Sequence, residues 1–236
     1  MATSEQDTKH PALDAVQEGP GSASFSSERA KPRLRGRLHA GMVPVVLVAG
    51  IVLIVLTPAG VLRAAAVVYV ITGLMMFVVS AVYHVGNWSK RTGMRLKRWD
   101  HTNIMLIIAG TYTPLTLALL PEPKDTILLV SVWIGALLGA AFRIFWTTAP
   151  RWLYTPSYVI LGLAALVFIG DFYAADPVAA TLIVVGGAAY IIGAVFYALK
   201  RPNISPEWFG FHELFHACTL IGFICHFIAI ALALLR

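Results

Sequence analysis

The chain has 236 residues, of which 58% are apolar and 13% charged, with a mean hydropathy of +0.75 and a formal net charge of +6. Soluble domains carry roughly 45–50% apolar and about 25% charged residues, so a soluble enzyme built around one compact core is excluded. The basic excess fits the ends of membrane helices, where Lys and Arg set topology, and nucleic acid is not an expected partner.

Residues 1–38 are rich in Ser, Gly, Pro and charge, and end in the run Arg29, Lys31, Arg33, Arg35, Arg37. Such a segment cannot bury enough apolar surface to offset its chain entropy, so it reads as a disordered cytoplasmic tail. No apolar run follows the start, which argues against a signal peptide. Residues 39–236 form the second region. Seven apolar stretches follow one another there, at about 41–60, 64–85, 101–120, 126–146, 152–170, 178–199 and 210–235. Each is long enough to cross a bilayer as a helix. The expected fold is therefore all-α, a polytopic membrane protein of seven transmembrane helices in the cell membrane.

Charge orients the bundle. With the tail in the cytoplasm, fifteen of the eighteen Lys and Arg lie on that side, leaving Arg63, Lys124 and Arg236 outside. The positive-inside rule then puts the N-terminus in and the C-terminus out. Interior glycines such as Gly73, Gly110, Gly139, Gly186 and Gly193 predict close helix packing. Pro114 is expected to kink the third span. Trp88, Trp99, Trp152 and Trp208 cluster at span ends as an interfacial belt.

Ionisable groups inside membrane spans are costly and mark functional candidates. On this topology Ser80 and His84 end the second span, Asp100 and His101 open the third, and His212 and His216 open the seventh. All fall at one depth, near the cytoplasmic interface. His212 and His216 are four apart, so both imidazoles can face one ion. Three neutral imidazoles leave an open position, the layout of a catalytic zinc, although iron or nickel accepts the same donors. Asp100 is the best placed acid to take a proton from a water there, and Ser80 could bond that water or the substrate. Each residue also has a plainer role: Asp100 as a helix N-cap, Ser80 bonded to its own helix, His84 and His101 as interfacial side chains.

Other features carry less. His226 lies ten residues past His216, about 15 Å deeper, and is expected to bond another helix or line a cavity. Cys218 and Cys225 sit seven apart on one helix, too far to bridge. The run His212-Glu213-Leu214-Phe215-His216 reads as the zinc-protease pattern. No acidic residue follows Glu213 to supply the usual third ligand, so Glu213 is expected to partner a basic residue.

Taken together, Ser80-Ala81-Val82-Tyr83-His84, Asp100-His101 leading to Ala109-Gly110-Thr111-Tyr112-Thr113-Pro114, and His212-Glu213-Leu214-Phe215-His216 resemble the three signature motifs of the hemolysin III family. That family is similar to the progestin and adiponectin receptors and, more distantly, to the alkaline ceramidases. The resemblance covers about residues 39–236. It implies zinc ligation by His84, His212 and His216, a catalytic role for Asp100 and an accessory one for Ser80. The expected activity is zinc-dependent hydrolysis of an amide or ester bond in a membrane lipid. The alternatives are a receptor, channel or cytolysin with a structural zinc, and, further off, an intramembrane metalloprotease.

Overall fold

A computed structural model describes residues 32–205 and 207–236. Seven helices are long and apolar enough to span a membrane: α1 (Arg37–Leu56), α2 (Val61–Val85), α3 (Lys90–Leu119), α4 (Lys124–Phe145), α5 (Arg151–Ala175), α6 (Pro177–Leu199) and α7 (Phe211–Leu234). Among the described residues there is no strand beyond one bridge between Ser205 and Phe209. The chain is an all-α, multi-pass membrane protein, as its hydropathy pattern requires.

Two helix starts differ from the expected ones. α3 begins at Lys90 rather than near 101, because Ser89 caps it by accepting the Thr92 N–H at 3.2 Å. Its first turns are polar, with Arg91, Arg95, Lys97 and Arg98, so hydropathy alone misses them. At 30 residues it is about 45 Å long and overruns the hydrocarbon core. α1 begins at Arg37 and stops at Leu56, since Thr57 precedes a proline and is extended (φ −67°, ψ 134°). Most of the expected tail, residues 1–31, lies outside the described residues. Its last seven positions are built into the fold: residues 33–36 form a turn, and the Arg33 N–H donates to the Glu207 carbonyl at 2.8 Å.

Sequential helices pack side by side: α1 on α2, α2 on α3, α3 on α4 and α6 on α7. α7 closes the bundle against α1 and α3, while α5 contacts α3, α4 and α6. Aromatic contacts tie α2 to α7. Phe223 stacks on Tyr69 at 5.5 Å and meets Phe77 edge-on at 4.9 Å. Small residues allow α6 and α7 to approach: a Cβ on Gly193 would lie 2.8 Å from that of Cys218. Gly162 and Gly187 differ, with nothing among the described residues within 4 Å of where a Cβ would stand. Both face a cavity. The third span continues as helix through Pro114 to Leu119. α5 is composite, with a 3-10 segment at Leu163–Phe168 between two α-helical parts. Tyr112 of α3 serves that joint, donating to the Gly162 carbonyl and accepting the Ala165 N–H, both at 2.7 Å.

Candidate metal centre

At the end of the bundle where α1, α3, α5 and α7 begin, three histidines converge. His84 lies in the last turn of α2, and His212 and His216 in the first turns of α7. The four-residue spacing puts both α7 rings on one face, 4.6 Å apart by centroid. His84 Nε2 stands 3.2 Å from His212 Nε2, and one ligand nitrogen from each of the three falls within 4.8 Å of the others. Two imidazoles on a tetrahedral zinc, with bonds of about 2.0–2.1 Å, place their nitrogens about 3.3 Å apart. The donor set therefore fits a metal ion. Nothing in the geometry selects one metal among those that accept imidazole.

Asp100 stands beside this group without belonging to it. Its Oδ2 is 3.8 Å from His84 Nε2 and 3.8 Å from His101 Nδ1. Ser80, buried on α2, places its hydroxyl against the Asp100 carboxylate. Asp100 is no N-cap: α3 starts ten positions earlier, so the carboxylate is set by helix packing and not by a terminus. His101 is buried, not interfacial. Its Nδ1–H donates to the Lys97 carbonyl at 2.8 Å, and its ring meets Tyr154 edge-on at 5.7 Å.

Sequence reasoning missed a fourth imidazole. His39, in the first turn of α1, is buried and lies flat on His216, with centroids 3.8 Å apart and planes within 8°. Phe77 meets it edge-on at 5.1 Å. Among the described residues, neither ring nitrogen of His39 has a hydrogen-bond partner. The signal was available, since an imidazole begins the first span at the same end as the other three. It was overlooked because α1 was expected to start beyond it.

Residues 27–227 match the family described as haemolysin-III related. The chain belongs to that family. It is 31% identical over 156 residues to the Hemolysin-3 homolog of Bacillus subtilis strain 168, covering 66% of this chain and 70% of that protein. It is 32% identical over 124 residues to Hemolysin-3 of Bacillus cereus, covering 52% of this chain and 54% of that protein. A rice protein, heptahelical transmembrane protein ADIPOR2 of Oryza sativa subsp. japonica, is 26% identical over 188 residues, 72% of this chain and 82% of its own length. The last similarity places the haemolysin-III family within the wider progestin and adiponectin receptor superfamily.

In this haemolysin-III-related protein Glu213 is turned away from the histidines. Its Oε1 pairs with Arg35 Nε at 2.6 Å, and its Oε2 accepts the Gly210 N–H at 2.9 Å. Both oxygens are engaged, so the protease pattern lacks a free carboxylate. The expected basic partner is Arg35, which is partly exposed while the Glu213 carboxylate is fully buried. His226 lies deeper on α7 and bonds across to α6, its Nε2 at 3.1 Å from the Ile183 carbonyl. Cys218 and Cys225 are free thiols.

A cavity of about 390 Å³ runs from the histidines into the bundle. Arg35, Lys97 and Arg151 line its mouth, and His226, Leu115 and Gly187 its deeper part. Between them the wall is mainly apolar, with Ile104, Ile107, Ile108 and Val159 among its residues.

Proposed function

We propose that the protein is a zinc-dependent membrane hydrolase that cleaves an amide or ester bond of a lipid. One observation carries this reading: three imidazoles converge at the head of an apolar cavity, with a carboxylate 3.8 Å away that is not part of the ligand group. His84, His212 and His216 would hold the ion. When bound, zinc supplies Lewis acidity at the position those three residues leave open.

The chain's own groups divide the remaining work. Asp100 takes the proton of the attacking water and returns it to the leaving group, the usual office of a positioned carboxylate. Ser80 donates to Asp100 and fixes which oxygen faces the histidines. His39 backs the His216 ring and limits its tilt. The cavity takes an acyl chain, which leaves the labile bond at the histidines and keeps bulk water out. The basic residues at this end of the bundle support a site at the cytoplasmic leaflet, with the N-terminus inside.

The names of two relatives favour a second reading, a cytolysin in which the metal only ties α2 to α7. A single experiment separates the two. Purified protein in nanodiscs is assayed for metal content and for turnover of a panel of ceramides and glycerolipids. Hydrolysis predicts about one zinc per chain, turnover by the parent, and an Asp100→Asn variant that keeps metal and fold but loses turnover. His212→Ala should lose both metal and turnover. Stoichiometric zinc with no turnover across the panel would overturn the hydrolase and leave the structural site standing.

A further inference from the structure

The cavity mouth carries more positive charge than the three histidines and Asp100 call for. We propose that it recognises the phosphate of an anionic lipid headgroup, held between Lys97 of α3 and Arg151 of α5. The proposal deepens the hydrolase reading by naming a substrate class, and rests on it only in taking the bound lipid as a substrate.

Among the described residues, three cations line the mouth, Arg35, Lys97 and Arg151, against one acid on the cavity wall, Asp100. Arg35 is committed to Glu213. Among the described residues, neither Lys97 nor Arg151 has a carboxylate within ion-pair distance. A fourth cation stands behind them. Arg143 is fully buried, with its guanidinium 4.2 Å over the ring of Tyr154, itself a cavity residue. It donates to the Trp146 and Thr147 carbonyls, at 3.4 and 3.3 Å, and to the Tyr158 hydroxyl, while its Nε has no partner among the described residues. A buried guanidinium without a counter-ion is costly, and an anion at the adjacent mouth would offset that cost.

Topology alone does not require this arrangement. A cation that sets orientation needs only to reach water at a helix end. Arg151 is instead fixed inward, lying 4.3 Å over the Tyr197 ring and donating one N–H to the Tyr197 carbonyl at 3.0 Å. That uses one of five donors. The Tyr197 ring is in turn 5.6 Å from His212, so Arg151 flanks the histidines from the α6 side. Lys97 flanks them from the other, one turn before Asp100 on α3. A phosphate between two such cations gains charge-assisted hydrogen bonds, and its acyl chains sit at the right depth for the apolar wall below.

The test measures lipid binding by the full chain in neutral-detergent micelles, so that turnover is not needed. Phosphatidylglycerol is compared with ceramide and phosphatidylcholine of matched chains, with inorganic phosphate as a further arm. Phosphatidylglycerol should bind at least about ten-fold more tightly than either other lipid, with an advantage that shrinks in high salt. Lys97→Gln and Arg151→Gln should each remove most of it. The Lys97 side chain makes no hydrogen bond or ion pair among the described residues, so its variant keeps the test valid even if Arg151→Gln fails to fold. His212→Ala should retain the preference, which separates this proposal from the metal chemistry. Equal binding of the three lipids, or an anionic preference intact in Lys97→Gln and Arg151→Gln, overturns it. Saturation by inorganic phosphate at the affinity of the lipid assigns the site to a free anion and overturns the lipid assignment. Ceramide turnover without any anionic preference would leave the hydrolase intact and remove this proposal alone.

Discussion

Arg35, two residues ahead of α1, and Glu213, in the first turn of α7, form an ion pair of 2.6 Å in which the carboxylate is wholly inaccessible to solvent. The same carboxylate holds the Gly210 N–H that precedes α7. One acid thus joins the entry of the first span to the entry of the last. Arg35→Ala should cost about 3 kcal/mol, because a buried carboxylate loses its partner. The double variant Arg35→Met with Glu213→Leu should cost clearly less than the two single changes added together. Denaturant unfolding in detergent of the four proteins measures the coupling.

Gly36 couples that entry to the metal centre. Its φ of 78° is a left-handed conformation, and a Cβ there would stand 2.7 Å from the Cβ of His84. Gly36→Ala should therefore lower stability by about 1–2 kcal/mol through backbone strain and displace His84 as well. Metal occupancy, read by elemental analysis, should fall with it. Gly41→Ala is the matched control, since nothing among the described residues lies within 4 Å of its Cβ position in the interior of α1. It should be neutral or slightly stabilising.

His39 offers an unusual contrast between shape and polarity. Its ring is stacked on His216, yet both of its nitrogens are without partners among the described residues. Truncation to Ala opens a hole beside His216 and should cost about 2 kcal/mol or more. Phe keeps a ring in the stack and removes two unsatisfied polar atoms, so it should match the parent within about 1 kcal/mol or exceed it. Thermal melts of the two variants, with metal content measured in parallel, check this.

An ion bound to His84, His212 and His216 would cross-link α2 to α7 and stabilise only the folded chain. With metal at about a hundred times its dissociation constant, that linkage is worth about 2.7 kcal/mol. Chelation should lower Tm accordingly, and added zinc should restore it. His226→Ala, deeper on the same helix, should leave the chelator-sensitive part of Tm unchanged.

Filling the cavity should separate the ion from the acyl chain. Gly187 lines the cavity and has open space where its Cβ would be. Gly187→Leu should keep metal content at the parent level while weakening the binding of long-chain lipids by about ten-fold. Lipids with shorter chains should be affected less, and a chain-length series reads the difference.

Hydropathy and spacing made most of this architecture legible. Apolar stretches gave the helix number, and the offset of four gave the shared face of His212 and His216. The depth argument brought His84 and Asp100 to the same end. What they could not give were contacts made by residues outside the apolar runs. α3 extends into a basic segment because Ser89 caps it, a local hydrogen bond that hydropathy does not register. His39 and Arg35 fell at the edge of a span drawn four residues too late, so the stack on His216 and the pair with Glu213 stayed hidden. The Tyr112 bridge to the joint in α5 joins residues about fifty positions apart, which no local pattern encodes.

The partners His84 and His212 are separated by 128 positions in the chain. During synthesis the second span enters the bilayer well before the seventh leaves the ribosome, so the three donors meet only when biogenesis is nearly complete. A nascent chain stalled before the last span carries a single imidazole of the trio. Metal acquisition is thus a late event, and it reports that the whole heptad of spans has been threaded.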